Sequence, residues 1–209
     1  MAPTFTHTFL YEFVTLFVVL DPVATLPIFA AVTLGLDRRQ TLKVAAYAVG
    51  ISFLVLLFFI ATGQLLLEAL KIPMAAFQLT GSTVLFLFGL KMVLGKVTEE
   101  AGGIPATASL MERAVYPLAI PGIAGAGAML TVVLLTDNNT RTIGEQAQTT
   151  AILALCLAGF FILFAVSGFV FRVLGRFGVE IITRVFGLIL ASIAVNGLIV
   201  AIKLSFGLV

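Results

Sequence analysis

The chain alternates long apolar runs with short polar breaks from one end to the other. Each run has at least the roughly 20 residues that a helix needs to cross about 30 Å of hydrocarbon. None of the breaks is long enough to fold as a domain of its own. The pattern predicts an all-α polytopic membrane protein with six transmembrane helices, near residues 8–33, 41–66, 73–95, 116–136, 148–172 and 181–202.

The composition agrees with lipid as the solvent. Of the 209 residues, 61% are hydrophobic, so we expect a single integral membrane domain over residues 1–209. The net charge of +2 argues against nucleic acid as a partner. One cysteine, Cys156, and one histidine, His7, exclude an internal disulfide and a Cys/His zinc site, and we predict no metal or cofactor. Because no Lys or Arg precedes the first apolar run, we read that run as a permanent span.

Lysine and arginine are distributed unevenly between alternate breaks. Nine lie in or beside the breaks that follow spans 1, 3 and 5, against three on the other side, Lys71, Arg141 and Lys203. Cytoplasmic loops carry the excess of these residues, so the odd-numbered loops are predicted to be cytoplasmic and both termini periplasmic or extracellular. The nine are Arg38, Arg39, Lys43, Lys91, Lys96, Arg113, Arg172, Arg176 and Arg184.

Six spans divide into two sets of three, and an odd number of spans in each set requires the second set to be inverted. This is the inverted-repeat architecture of many secondary transporters. The predicted division is a first three-helix repeat at 1–95, a cytoplasmic linker at 96–115 and a second repeat at 116–209. Aligning Pro22 with Pro121 gives few identities, but it pairs a proline interruption in the first span of each half.

The first interruption joins a carboxylate to a proline near the middle of span 1. Proline lacks the N–H of a helix bond, so Pro22 and Pro27 each free a carbonyl four residues earlier. Asp21 followed by Pro22 is also a helix-start signal, with aspartate as the N-cap. Span 1 is therefore predicted to be two half-helices that meet at Asp21. A carboxylate at this depth costs about 3 kcal/mol, which favours a functional role over a structural cap.

Span 4 is predicted to break at Pro121-Gly122. Ile120, at the N-cap position, has no side-chain oxygen, so the amides of Gly122 and Ile123 are expected to be uncapped at the positive end of a helix. A close-packing surface is the alternative explanation of the glycines. The sequence leaves open whether residues 108–115 also enter the membrane, which would set Pro121 at the midplane. The helix-weakening residues are Pro117, Pro121, Gly122, Gly125 and Gly127.

Together the two breaks suggest a binding site for a zwitterion. The uncapped amides would receive a carboxylate, as helix N-termini do. Asp21 would face an ammonium group or a coupling ion, H⁺ or Na⁺. The predicted substrate-binding residues are Asp21, Thr25, Gly122, Ile123, Gly125, Thr80, Ser82 and Asn196.

Several segments together carry a family resemblance: Asp21 to Phe29, Thr80-Gly81, Tyr116 to Pro121, Ala124 to Ala128, and Arg184 with Gly187 to Ala191. In these segments the chain resembles the MarC family of inner-membrane proteins, and the resemblance extends over nearly the whole chain. The resemblance implies a six-helix protein of the cell inner (plasma) membrane, and some members of that family are assigned as neutral amino acid transporters. The family pattern Asp-Pro-x-Gly-Asn-x-Pro differs here, because Ala24-Thr25 replaces Gly-Asn.

We therefore expect a secondary transporter that moves a small solute by alternating access at a midplane site, with neutral amino acids as the class that the resemblance implies. A channel-like pore, a lipid-handling protein and a membrane subunit without transport of its own are the alternatives, and a homo-oligomer is left open. An intramembrane enzyme is disfavoured, because Asp21 is the single intramembrane aspartate and neither a Ser-His pair nor a zinc cluster lies in the spans.

Overall fold

Residues 5–95, 107–137 and 141–207 are described by the computed structural model, and their regular structure is entirely helical. Helices α1 (Phe5–Leu20) and α2 (Pro22–Val32) are separated by one residue, and α3 (Arg38–Ala69) and α4 (Met74–Val93) follow. The short α5 (Leu110–Arg113) continues into a π-helical segment, Ala114–Ile123, called the proline segment below. The chain then forms α6 (Ala126–Leu135), α7 (Ile143–Ala165) and α8 (Ser167–Ser205).

Three of these helices begin in polar sequence, at capping boxes. In each box the N-cap side chain accepts from a backbone amide three residues later, and the residue there reaches back to the N-cap amide. As a result α3 and α7 begin before residues 41 and 148, where the apolar pattern placed them. Helical structure resumes at Leu110, within the range predicted as a linker; residues 96–106 of that range lie outside the described residues. The boxes pair Asp37 with Gln40, Ser109 with Glu112, and Thr142 with Glu145.

Within the described parts of the chain, four helices are long and apolar enough to cross a membrane: α3, α4, α7 and the part of α8 from Glu180 to Ser205. A fifth results if Leu110–Ile123 and α6, which are bent by 56°, form one span. The apolar helix Phe9–Leu20 is shorter than these. The prediction of an all-helical architecture with several membrane spans is confirmed. Helix length alone does not establish the count of six, because the first predicted span is divided into two short helices.

The fifth predicted span ends earlier than the apolar pattern indicated. Instead of continuing to residue 172, α7 ends at Ala165 and α8 begins at Ser167. Within α8, Gly175 has φ 65° and ψ 176°, a conformation that glycine adopts most readily. Residues 167–174 therefore form a separate helical segment before the spanning part of α8. Because this segment is also apolar, the sequence pattern extended the fifth predicted span beyond the end of α7.

The most extensive helix pair is α4 with α8. A Cβ on Gly89 would lie 2.9 Å from the carbonyl oxygen of Gly187, and a Cβ on Gly187 would lie 2.9 Å from that of Gly89. Small residues of this kind allow membrane helices to approach closely. Large apolar side chains such as Leu54 and Leu188 remain more than half exposed. An apolar outer surface is what lipid, but not water, solvates.

Candidate functional site

The break in the first helix pair lies at a single residue, Asp21. Its φ of +53° is in the left-handed region, which aspartate tolerates better than most residues, and is not the extended conformation of an ordinary N-cap. Pro22 opens α2 at the position where a missing N–H costs nothing. The two half-helices predicted from the sequence are therefore present. The Asp21 side chain between them is only 1% exposed.

Two of the predicted helix-breaking residues lie within regular helices. α2 continues through Pro27 to Val32, so Pro22 and not Pro27 marks the break in this part of the chain. Gly127 is the second residue of α6. A Cβ on it would collide with Leu85 of α4, so its small size serves packing between these helices.

The second break is broader than the first and extends beyond Pro121-Gly122. Within the proline segment Tyr116 and Ile120 have extended backbone, because a proline ring disfavours helical geometry in the residue before it. Regular helix resumes only at Ala126, after Gly125 with φ −81° and ψ 173°. A Cβ on Gly125 would lie 2.6 Å from the Pro121 carbonyl oxygen, so the bend requires a glycine there.

The sequence predicted an uncapped helix start at Gly122 and Ile123. In the structure the uncapped start lies a few residues later, at the beginning of α6. Gly125 occupies the N-cap position of α6 and provides no side-chain cap. The first bond of the helix is from Met129 N to Gly125 O, at 3.0 Å, so the amides of residues 126–128 have no acceptor within α6. Gly122 and Ile123 are buried in the proline segment that precedes it.

The two breaks meet through small side chains. A Cβ on Gly122 would lie 3.8 Å from Thr25 Cγ2, which is ordinary van der Waals contact. From α3, Ser52 Oγ donates to Ala119 O at 3.5 Å. Thr25 and Ser52 are both fully buried. We call this region the break site and define it by Asp21, Thr25, Ser52, Ala119 and Gly122.

The other polar residues predicted for the site lie elsewhere. Thr80 is exposed, and its hydroxyl donates to Ala76 O in its own helix at 3.0 Å. Asn196 is exposed on α8. Ser82 is buried in contact with Gly197, between α4 and α8. Conversely, Ser52 was missed, because one serine within an apolar run produces no pattern that marks it.

A buried polar cluster joins α1 to α7 and to the segment before α7. Glu12 is 1% exposed, and it accepts a hydrogen bond from Thr149 Oγ1 at 2.9 Å. Arg141 Nη2 lies 3.3 Å from Glu12 Oε1, and its Nη1 lies 3.7 Å from the more exposed Glu145. We call Glu12, Arg141 and Thr149 the α1–α7 cluster. The sequence did not predict the contacts of Glu12 with Arg141 and Thr149, because these partners are far apart along the chain.

A second buried charge joins α5 to the end of α2. Arg113, 8% exposed, donates from Nη1 to Val32 O at 2.7 Å and from Nε to Ala108 O at 3.1 Å. Val32 is the last residue of α2, where the helix leaves carbonyls without intrahelical donors and carries a partial negative charge. The guanidinium therefore caps α2 and neutralises that charge.

Chemically, the break site combines one carboxylate, two hydroxyl groups and main-chain carbonyls. Oxygen groups of this kind bind hard cations, and a carboxylate can also take up a proton. Over residues 5–95, 107–137 and 141–207 no group of three or more His, Cys, Asp or Glu side chains is placed to hold a metal ion.

A sequence profile of the family described as "MarC family integral membrane protein" matches residues 6–206. The chain is 31% identical to a "UPF0056 membrane protein" of Aquifex aeolicus, over 93% of this chain and 92% of that protein. It is 35% identical to a UPF0056 membrane protein of Pyrococcus abyssi, over 96% and 97%. It is 31% identical to "UPF0056 inner membrane protein YhgN" of Escherichia coli, over 87% and 89%. No solved structure matches the chain.

Proposed function

The chain belongs to the MarC family of integral membrane proteins, and we propose that it is a secondary transporter of a small solute. The observation that carries this proposal is the buried carboxylate of Asp21, at the junction of two half-helices that pack against a second interrupted helix. Ionisable side chains within membrane spans are costly, and they characteristically mark ion, proton or substrate pathways.

Contacts with α7 support the broken pair α1–α2 as a further membrane crossing. Glu12 of α1 bonds to Thr149 near the start of α7. Phe29 of α2 stacks on Phe164 near its end, with ring centroids 4.2 Å apart. The two α7 residues are separated by about 22 Å along the axis at 1.5 Å per residue. The broken pair therefore runs beside most of a spanning helix, which gives six crossings when the bent α5–α6 unit is also counted.

The pattern of helix contacts supports two inverted repeats. The proposed repeats pair α1 with the proline segment, α2 with α6, α3 with α7 and α4 with α8. α1 contacts α6, and the counterpart contact between the proline segment and α2 is also present. α4 contacts α6, just as α8 contacts α2; α3 contacts the proline segment, just as α7 contacts α1. Each of these contacts therefore has a counterpart when the two repeats are interchanged, as a pseudo-two-fold axis in the membrane plane would produce.

In the proposed mechanism the break site binds the substrate between the repeats. A neutral amino acid suits it, because its ammonium group would face Asp21 and its carboxylate would accept from the amides at the start of α6, residues 126–128, which follow the second break and have no acceptor within that helix. Asp21 would also be the group through which H⁺ or Na⁺ is coupled. The break site is buried in this structure, so transport requires it to open to each side in turn.

The ends of the bundle provide contacts that such opening would break. The α1–α7 cluster closes one end, and the contact of Arg113 with Val32 closes the other. The excess of lysine and arginine beside the Arg113 end makes that end cytoplasmic in our proposal, within an inner membrane such as the name of the Escherichia coli relative describes.

The test is uptake of labelled neutral amino acids into proteoliposomes under an imposed H⁺ or Na⁺ gradient. Wild type is compared with Asp21→Asn, which keeps the shape of the side chain and its tolerance of positive φ. The matched control is Asp37→Asn at the exposed start of α3, where asparagine caps as well as aspartate. We expect saturable uptake that Asp21→Asn abolishes and Asp37→Asn retains.

Three outcomes would contradict parts of the proposal. Flux that does not saturate and does not follow the gradient would favour a pore. Full activity in Asp21→Asn would remove the carboxylate from the transport path. A panel in which no amino acid enters under either gradient would reject this substrate class, and the alternative of a subunit without transport would then gain support.

A further inference from the structure

A surface cavity of about 540 Å³ lies where the start of α3 meets the junction of α7 and α8. This is the end of the bundle that carries the excess of basic residues. The cavity is distinct from the break site and shares no residue with it. Its lining consists of Leu36, Arg38, Thr41, Leu42, residues 164–169 and Arg172.

The polar part of the lining is positively charged. Arg38 and Arg172 come from different helices, and both side chains are exposed. Neither has an acidic partner among the residues that the structure describes. The carboxylate nearest to Arg38 in the sequence, Asp37, accepts from Gln40 N at 2.7 Å and does not line the cavity. Two arginines without carboxylates favour a phosphate group as ligand.

The rest of the lining is apolar and continues onto the outer surface. Leu36 and Leu42 line the cavity, and Phe169 at the rim is 66% exposed. Val173, one turn further along α8, is 65% exposed. A small hydrophilic anion gains nothing from such a wall, whereas an acyl chain does.

We propose that this cavity binds an anionic phospholipid, with Arg38 and Arg172 holding its phosphodiester group and Phe169 contacting its acyl chains. The position suits a lipid, because the cavity lies at the ends of two helices long enough to span the membrane, at the depth of headgroups. Because this proposal requires no transport activity, it stands or fails separately from the function proposed above.

The first experiment measures lipid binding to the delipidated full chain by native mass spectrometry in mild detergent. The probes are dioleoylphosphatidylglycerol and dioleoylphosphatidylcholine, which share acyl chains and differ in charge. At about 1 kcal/mol for each arginine near an anionic headgroup, we expect phosphatidylglycerol binding to fall roughly 30-fold in the double variant R38Q/R172Q. The affinity for phosphatidylcholine should change little.

The matched control is R39Q/K43Q, which removes two positive charges from the same end of α3 but outside the cavity. It should lose much less affinity for phosphatidylglycerol than R38Q/R172Q. An equal loss in both variants would mean diffuse attraction to a basic surface and would overturn the proposal of a defined site.

A second pair of variants tests the cavity without changing charge. A Cβ on Gly168 meets no atom within 4 Å, so Gly168→Trp can place its ring in the cavity, and Gly159→Trp is the control at an equally open position of α7 outside the cavity. We expect only Gly168→Trp to weaken lipid binding. Unchanged binding in Gly168→Trp, or complete displacement of phosphatidylglycerol by millimolar inorganic phosphate, would show that the cavity does not hold a lipid.

Discussion

The ion pair between Glu12 and Arg141 provides the most specific test of how the two halves of the chain are held together. We consider Arg141→Met, which keeps a long apolar side chain and removes the guanidinium. In this variant Glu12, only 1% exposed, would retain the hydrogen bond from Thr149 and lose its positive partner. The carboxylate would then be buried without charge compensation.

The magnitude follows from the distance and the burial. At 3.3 Å and an effective dielectric constant of about 20, the attraction is about 5 kcal/mol before desolvation is counted. Removing one partner of a buried pair costs about 3–5 kcal/mol. Because the Arg141 side chain is 23% exposed, we expect the lower end, about 3 kcal/mol. For a chain of this length that corresponds to a fall of roughly 6–12 °C in the midpoint of thermal unfolding.

The assay is thermal unfolding in mild detergent, followed by circular dichroism at 222 nm. The chain provides its own control, because Arg141 also approaches Glu145, which is far more exposed than Glu12. Glu145→Gln removes that exposed pair, and glutamine can still complete the capping box with Thr142. We expect it to change the midpoint little, because exposed ion pairs contribute little to stability.

A double-mutant cycle separates the pair from the individual side chains. Glu12→Gln retains an acceptor for Thr149, so adding it to Arg141→Met should recover part of the lost stability. If the two substitutions are instead additive, or if Arg141→Met costs no more than Glu145→Gln, the buried contact does not exist in the folded protein.

Two further predictions concern packing and capping, and thermal unfolding measures both. Arg113→Met should cost about 2–3 kcal/mol, because a charged donor to the buried end of α2 is lost; an unchanged midpoint would mean that the Val32 carbonyl is satisfied in another way. Gly89→Ala should cost about 1–3 kcal/mol, because its Cβ would lie 2.9 Å from the backbone of α8. Gly50→Ala in α3, with no atom within 4 Å of the added carbon, should be neutral or stabilising, and an equal loss in both variants would contradict the close α4–α8 contact.

The first break could be predicted from the sequence because adjacent residues determine it. Asp21 and Pro22 mark the point where one helix ends and the next begins. In the structure α1 ends at Leu20 and α2 begins at Pro22. The second break could be assigned only to a region. Several prolines and glycines weaken the helix together, and the position where it resumes depends on the approach of Gly125 to the Pro121 carbonyl, which residue types do not reveal.

The composition of the site was only partly predictable for a different reason. In a helix that is apolar on all sides, a polar residue gives no indication of which way it faces. Thr80 and Asn196 therefore had the same appearance as Thr25, although the first two are exposed and the last is buried. Partners such as Glu12 and Thr149, 137 residues apart, cannot be paired from one sequence.

The order of synthesis makes the contacts of Arg113 and of Glu12 available at different times. When Arg113 leaves the ribosome, its acceptor on Val32 has already been made, 81 residues earlier. Glu12 has the opposite history, because Thr149 follows it by 137 residues, which takes roughly 7–30 s at about 5–20 residues per second. Until then the start of the chain contains a carboxylate whose native partners do not yet exist. Nascent chains that stop before Arg141 therefore lack both native partners of Glu12, and the α1–α7 cluster can form only after most of the polypeptide has been made.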